Sequence, residues 1–168
     1  MSKTRYVYVD GKAFYAKLKP ENRDTGANLP EGSDQRNKIE EVQGYYVMNL
    51  QVTPEAKKKA IADGIPNRGM TGQLWKEDEE GNPYYKAKRA HFNPKFTDRE
   101  TGEQGVVMGP PDVLLVQDGK NVPFDGLIGN GSDVTVKFSV WDEKKVEMLA
   151  VRINDLVEYE SEGVKEDF

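Results

Sequence analysis

Apolar residues recur along this chain with a period of two in several short stretches, the pattern of strands that bury one face. In Gly44 to Val52, Tyr46, Met48, Leu50 and Val52 share one face, and Tyr45, Val47, Asn49 and Gln51 share the other. Tyr84 to Phe92 sets Tyr84, Lys86, Lys88, Ala90 and Phe92 against Tyr85, Ala87, Arg89 and His91. Val113 to Gln117, Val134 to Trp141 and Val146 to Tyr159 predict three more strands. Tyr6 to Leu18 is aromatic and rich in β-formers, and the turn dipeptide Asp10-Gly11 predicts a bend or bulge inside it.

One short helix is expected. Thr53-Pro54-Glu55 places a hydroxyl at the N-cap, proline at the first helical position and an acid in the first turn, and the helix should stop near Gly64. Residues 19–43, 64–83 and 93–111 read as long polar loops, the second leaving Trp75 exposed beside the acidic run Glu77 to Glu80. About six strands with no βαβ alternation make the chain all-β, and a helix between the second and third strands suits a small barrel better than a sandwich.

A length of 168 residues fits one domain. With 36% hydrophobic and 32% charged residues and a mean hydropathy of −0.77, the core must be lean and the loops solvated. No apolar run exceeds four residues, so no membrane span is expected. Residues 1–4 have no apolar run of the kind a secretory signal carries. The absence of cysteine excludes a disulfide framework, a thiol nucleophile and a thiolate metal site, and suits a reducing cytoplasm. His91, the single histidine, lacks the partners that zinc or a Ser-His-Asp set would need, and reads as a strand or surface residue. No metal and no cofactor are therefore expected.

The net charge of −5 hides an asymmetry. Residues 1–20 hold Lys3, Arg5, Lys12, Lys17 and Lys19 against Asp10 alone, whereas residues 158–168 hold Glu158, Glu160, Glu162, Glu166 and Asp167 against Lys165. A body that binds a polyanion and carries an acidic tail has this distribution, and so does an acidic protein with a frayed end.

The strand Tyr84 to Phe92 carries the most informative chemistry. A face reading Tyr, Lys, Lys, Ala, Phe can serve both halves of a single strand of nucleic acid, ammonium groups taking phosphates and rings taking base faces. A solvated face with lysine stems lying over tyrosine has the same pattern. Asp112, Asp118 and Lys120 superficially match the two-carboxylate and lysine set of a metal-dependent nuclease, but Asp118-Gly119 is first of all a hairpin-turn signal. The glycine-rich Gly126 to Ser132 lacks the lysine of a phosphate-binding loop and leads into a strand, so it reads as a tight β connection.

Four stretches, in order, resemble the single-stranded DNA-binding proteins of podovirus-type tailed phages. They are Gly44 to Pro54 with its helix; Tyr85-Lys86-Ala87-Lys88; Val122-Pro123 through Ile128-Gly129-Asn130-Gly131-Ser132 into Val134-Thr135-Val136-Lys137-Phe138-Ser139; and an acidic C-terminus ending Glu166-Asp167-Phe168. The resemblance covers most of the chain from Phe14 onward. It implies an OB-type barrel over residues 1–157 that coats single-stranded DNA in phage replication and recombination, within the cytoplasm of the infected bacterial host and without enzymatic activity. It also implies an acidic tail, 158–168, that contacts the replicative polymerase and helicase-primase and competes with DNA for the basic groove. The tail is short for the family, which would weaken both roles. A homodimer stays open, as do the alternatives of a small metal-dependent nuclease and a structural or adaptor barrel. The residues expected to meet DNA are Tyr45, Asn49, Trp75, Tyr84, Lys86, Lys88, Arg89, Phe92, Lys137 and Trp141, and those expected to meet partners are Glu166, Asp167 and Phe168.

Overall fold

The longest strand, β1 (Arg5–Lys17), sits between two neighbours that use different parts of it. In chain order the others are β2 (Tyr45–Gln51), β3 (Arg68–Gly69), β4 (Gly72–Gln73), β5 (Trp75–Glu77), β6 (Pro83–Ala90), β7 (Phe92–Thr97), β8 (Gln104–Val107), β9 (Asp112–Gln117), β10 (Lys120–Pro123), β11 (Ser132–Trp141) and β12 (Lys145–Asp155). Among the described residues two α-helices, α1 (Asp34–Glu41) and α2 (Pro54–Asp63), accompany these strands in a mostly-β fold. The computed structural model describes residues 4–69, 72–141 and 145–159.

The main sheet has eight strands in the order β10-β9-β12-β11-β1-β2-β6-β5. From Arg5 to Ala13, β1 pairs antiparallel with β11 without a break, and from Lys12 it also pairs with β2. Gly11 lies at this handover, where a side-chain carbon would overlap the carbonyl oxygen of Gln51. The irregularity expected at Asp10-Gly11 is therefore displaced. β1 runs regularly through those residues, and its bulge falls between Phe14 and Lys17, with Tyr15 at φ 53°.

Val7, Val9 and Ala13 of β1 point into a core with Tyr46, Met48 and Leu50 of β2, Val134, Val136 and Phe138 of β11, and Met148, Val151 and Ile153 of β12. Period-two burial on each strand is the alternation visible in the sequence. The helix after β2 is also as expected: Thr53 Oγ1 accepts from the Ala56 N–H, and the chain leaves through Gly64 at φ 130°. The second helix departs from the expected loop. α1 lies in the polar segment 19–43, capped by Ser33, and buries none of its residues. With Ile39 as its sole apolar residue it shows no helical stripe. The expected loop 93–111 contains the β7–β8 hairpin.

The glycine-rich stretch before β11 holds the segment at Val157 in place. The Val157 N–H donates to the Ser132 hydroxyl at 2.8 Å, that hydroxyl donates to the Gly129 carbonyl at 2.8 Å, and the Gly129 N–H donates to the Val157 carbonyl at 3.0 Å. A side chain on Gly129 would overlap the backbone of Val157 and Glu158. Ile128 meanwhile packs into the core.

His91, just beyond β6, shares a 2.6 Å hydrogen bond through Nδ1 with the hydroxyl of buried Tyr46. Burial, and after it the charge of Arg23, pushes the His91 pKa below its ordinary 6.5. The folded state thus prefers the neutral imidazole, so unfolding takes up a proton once the pH falls below about 6.5. Stability should be full above that value and decline as the pH falls through the depressed folded pKa, by at most about 1.4 kcal/mol per pH unit. Urea unfolding between about pH 7.5 and 5.5 measures the slope, and His91→Gln should flatten it.

Candidate nucleic-acid interface

The face of β1, β2, β6 and β5 that looks away from the core is assembled by register. Lys12, Gln51, Tyr84 and Lys76 lie in one cross-strand row, Phe14, Asn49 and Lys86 in the next, and Lys17, Val47 and Lys88 in a third. Paired residues in an antiparallel sheet point to the same side, so three segments remote in sequence, β1, β2 and the β5–β6 hairpin, contribute to one surface. Its cations are Lys12, Lys17, Lys76, Lys86 and Lys88; its rings are Phe14, Tyr84 and Tyr45; its amides are Asn49 and Gln51.

Lys88 reaches over the Tyr45 ring, its ammonium 5.4 Å from the centroid. Desolvation first, then repulsion from Lys86 and Lys76, lowers its pKa, and Asp24 partly offsets this. Desolvation, and then Glu41, raises the Tyr45 hydroxyl. A phosphate placed here would relieve the lysine repulsion.

Beside these rows runs a groove of ≈ 570 Å³. Phe14, Tyr15, Tyr84, Asn49 and Gln51 line it together with Glu77, Asp78, Glu79 and Glu80 of the β5–β6 turn. Asp78 holds that turn in place. Its carboxylate accepts from Gln51 Nε2 at 2.6 Å and from the backbone of Glu80 and Asn82, and these bonds, the Asn82 one foremost, lower its pKa. The groove thus sets flat rings beside a run of carboxylates that repels anions, so a polyanion would be directed over the lysine rows.

The architecture matches known structures over nearly its whole length. The crystal structure of gp2.5, a single-stranded DNA-binding protein encoded by bacteriophage T7, aligns over 99% of this chain and 98% of that chain, with a TM-score of 0.62 and 15% identity. The single-stranded DNA-binding protein from bacteriophage Enc34 aligns over 96% and 87%, with a TM-score of 0.52 and 13% identity. The fold is that of phage single-stranded DNA-binding proteins. At these identities the likeness is one of fold. No protein-family model matches the chain, and no curated protein matches it.

On this fold Tyr45, Asn49, Tyr84, Lys86 and Lys88 lie together on one face, as expected from the sequence. Three other expected placements are corrected. Trp75 is not exposed in a loop: it is 4% accessible on β5, its ring 5.1 Å from Tyr85, and it belongs to the core. Its ring is already covered on the inner face, where no base can reach it. Arg89 lies on the parity of buried Tyr85 and Ala87, not on that of Lys86 and Lys88. Its guanidinium forms an ion pair with Glu147 of β12 and donates to the carbonyls of Met108 and Gly109. Phe92 is not on the Tyr84 strand. β6 ends at Ala90, and Phe92 opens β7 and lies over Gly105 of the hairpin.

Lys137 and Trp141 lie on β11, on the outward face beside the first half of β1 and away from the groove. Glu166, Asp167 and Phe168 fall outside the described residues. Phe14, Lys12, Lys76 and Gln51 join the face without being expected there from the sequence. For Phe14 and Lys12 a signal exists, since both continue the even parity of Tyr6 and Tyr8 along β1.

The nuclease alternative meets a geometric obstacle. Asp118-Gly119 is a two-residue hairpin turn between Gln117 and Lys120, both residues at positive φ, as the turn reading requires. Asp112 lies at the far end of β9, so the two carboxylates stand roughly 20 Å apart along the strand. Among the described residues no group of three or more His, Asp or Glu could hold a metal ion.

Arg89→Leu should lower stability by roughly 3–5 kcal/mol, because it leaves the largely buried Glu147 carboxylate unpaired. Chemical denaturation measures this. Partial recovery in Arg89→Leu with Glu147→Leu would identify the pair as structural, whereas DNA affinity at a temperature where the variant is folded should be unchanged.

Proposed function

We propose that this chain is a sequence-tolerant single-stranded DNA-binding protein that coats DNA during phage replication and recombination. The observation that carries the proposal is the outward face of β1, β2 and β6, where lysines alternate with rings and amides across three rows. Lys12, Lys76, Lys86 and Lys88 would take phosphates while Phe14, Tyr84 and Tyr45 stack on bases. Rings accept any base, which makes such binding indifferent to sequence. The same proposal reads the curled sheet as an OB-type barrel, supported by the approach of β12 to β6 across the Arg89–Glu147 pair. Residues 1–157 would form the binding domain, and the site of action would be the cytoplasm of the infected host.

Fluorescence titration with oligo(dT) at several salt concentrations tests it. Lys86→Ala with Lys88→Ala should weaken binding and reduce the log–log salt slope by about 0.7 for each phosphate that is no longer neutralised. Tyr84→Ala should weaken binding by about 1–3 kcal/mol with little change of slope, because stacking releases few counterions. Wild-type protein without salt-dependent affinity for oligo(dT) would sink the proposal and favour a structural or adaptor role.

The acidic tail 158–168 would compete with DNA for this face and recruit the polymerase and helicase-primase through Glu166, Asp167 and Phe168. The position of its root supports this. The loop that anchors Val157 also binds β1 beside the groove, the Gly131 N–H donating to the Ala13 carbonyl at 2.8 Å and the Tyr15 N–H donating to Asn130 Oδ1 at 2.8 Å. The nine residues after Tyr159 can span about 30 Å when extended. Truncation after Tyr159 should raise DNA affinity, most at low salt where attraction is least screened. Unchanged affinity at both salt extremes would refute the competition.

A further inference from the structure

The outward face of β1 carries a second aromatic cluster that the lysine rows do not use. Tyr6 and Tyr8 are each 56% exposed, two of the largest apolar exposures among the described residues. Their neighbour across the sheet is Lys137 of β11, which pairs with Tyr8. Its ammonium lies 4.6 Å from the centroid of the Tyr6 ring and 6.0 Å from that of Tyr8. Trp141 lies on the same face of β11, two register steps beyond Lys137 and half-buried.

This arrangement repeats the chemistry of the main face. A lysine lies over two rings that the described residues leave more than half exposed, and tyrosines held on a strand present flat surfaces at small entropic cost. The two clusters are joined by one strand: Tyr6, Tyr8, Asp10, Lys12 and Phe14 share the same parity along β1, and Tyr8 and Phe14 are roughly 20 Å apart by strand rise. Between them the surface carries Arg152 and Lys12. Asp10, an acid on this path, is bound by the Thr135 hydroxyl at 2.6 Å, and Thr135 in turn accepts from Arg152 and Asn154. Asp133, opposite Lys12, is the other acid on the path.

We propose that Tyr6, Tyr8 and Lys137 form a second base-stacking and phosphate-binding subsite for single-stranded nucleic acid, so that a bound strand follows the outward face of β1 from Phe14 to Tyr6. This rests on the proposed DNA-binding function and extends it from one groove to a path with two anchor points. The length of strand needed to occupy both anchors exceeds that needed for one, which makes the subsite visible as a length dependence of affinity.

The test compares oligo(dT) of about 4 and about 20 nucleotides, the first too short to bridge both anchors and the second beyond the usual span of one such domain. Tyr6→Ser with Tyr8→Ser, made in the full chain, should weaken binding of the longer oligomer about tenfold or more and leave the shorter one, which the main groove accommodates, nearly unchanged. Tyr6→Phe with Tyr8→Phe keeps the rings and should restore long-oligomer affinity. Lys137→Gln should reduce the salt slope for the longer oligomer by about 0.7. If Tyr84→Ala weakens both lengths while the double serine variant binds both like wild type, the second subsite is refuted and the main face stands. If the wild-type protein binds neither length, the underlying function has failed. Equal loss for both lengths in the double serine variant would also refute the subsite as a separate anchor.

Discussion

The structure depends on β1 serving two partners. Its first nine residues pair with β11 and its second half with β2, and at Lys12 and Ala13 it bonds to both at once. Side chains normally stand clear of both paired edges, but at Gly11 the Gln51 carbonyl occupies the place a side-chain carbon would take, so this one position needs glycine. The bulge at Tyr15 then turns the strand end and aims the Tyr15 ring outward. Because one strand joins the β11–β12 half to the β2–β6 half, the outward parity of β1 becomes a continuous surface connecting chemistry drawn from both.

The two faces of the sheet obey opposite requirements. The inner face is filled by Tyr46, Met48, Leu50, Phe138, Met148 and Ile153, and Tyr85 lies between Trp75 and an edge-on Phe138. The outer face leaves rings and ammonium groups uncovered, an arrangement that contributes little to folding and suits a flat, charged ligand. The acidic β5–β6 turn belongs to this division. Held through the Gln51–Asp78 bond, it gives the groove one rim that a phosphate avoids. Position on the surface would then be selected by charge, and bases would be accepted by their flat faces alone.

The glycine-rich motif, the most specific part of the resemblance to phage DNA-binding proteins, has a mechanical role. Ile128 enters the core, Gly129 admits the backbone of Val157, and the buried Ser132 hydroxyl bonds to both. The segment at Val157 is thereby tied to the loop that bonds β1 at Ala13 and Tyr15. Glycine at 129 answers to close backbone approach and not to a phosphate, which agrees with the tight β connection read from the sequence.

The sequence by itself determined the strand alternation, the capped helix after β2, the hairpin at Asp118-Gly119 and the shared face of Tyr84, Lys86 and Lys88. Each of these is local: a period of two, a hydroxyl followed by proline, and a turn dipeptide act within a few residues. What lay beyond reach depended on contacts distant in sequence. Trp75 looks exposed because its neighbours in sequence are polar, yet cross-strand pairing with Tyr85 buries it. The alternation already puts Arg89 on the parity of Tyr85 and Ala87, but only the tertiary structure supplies its partner Glu147, 58 residues away. Helix α1 has no apolar stripe and could be recognised only through its Ser33 cap. Tyr6, Tyr8 and Phe14 are plain in the sequence as aromatic residues, but only the register of β1 against β2 and β11 decided which lysines they accompany, because no local pattern specifies which strands become neighbours.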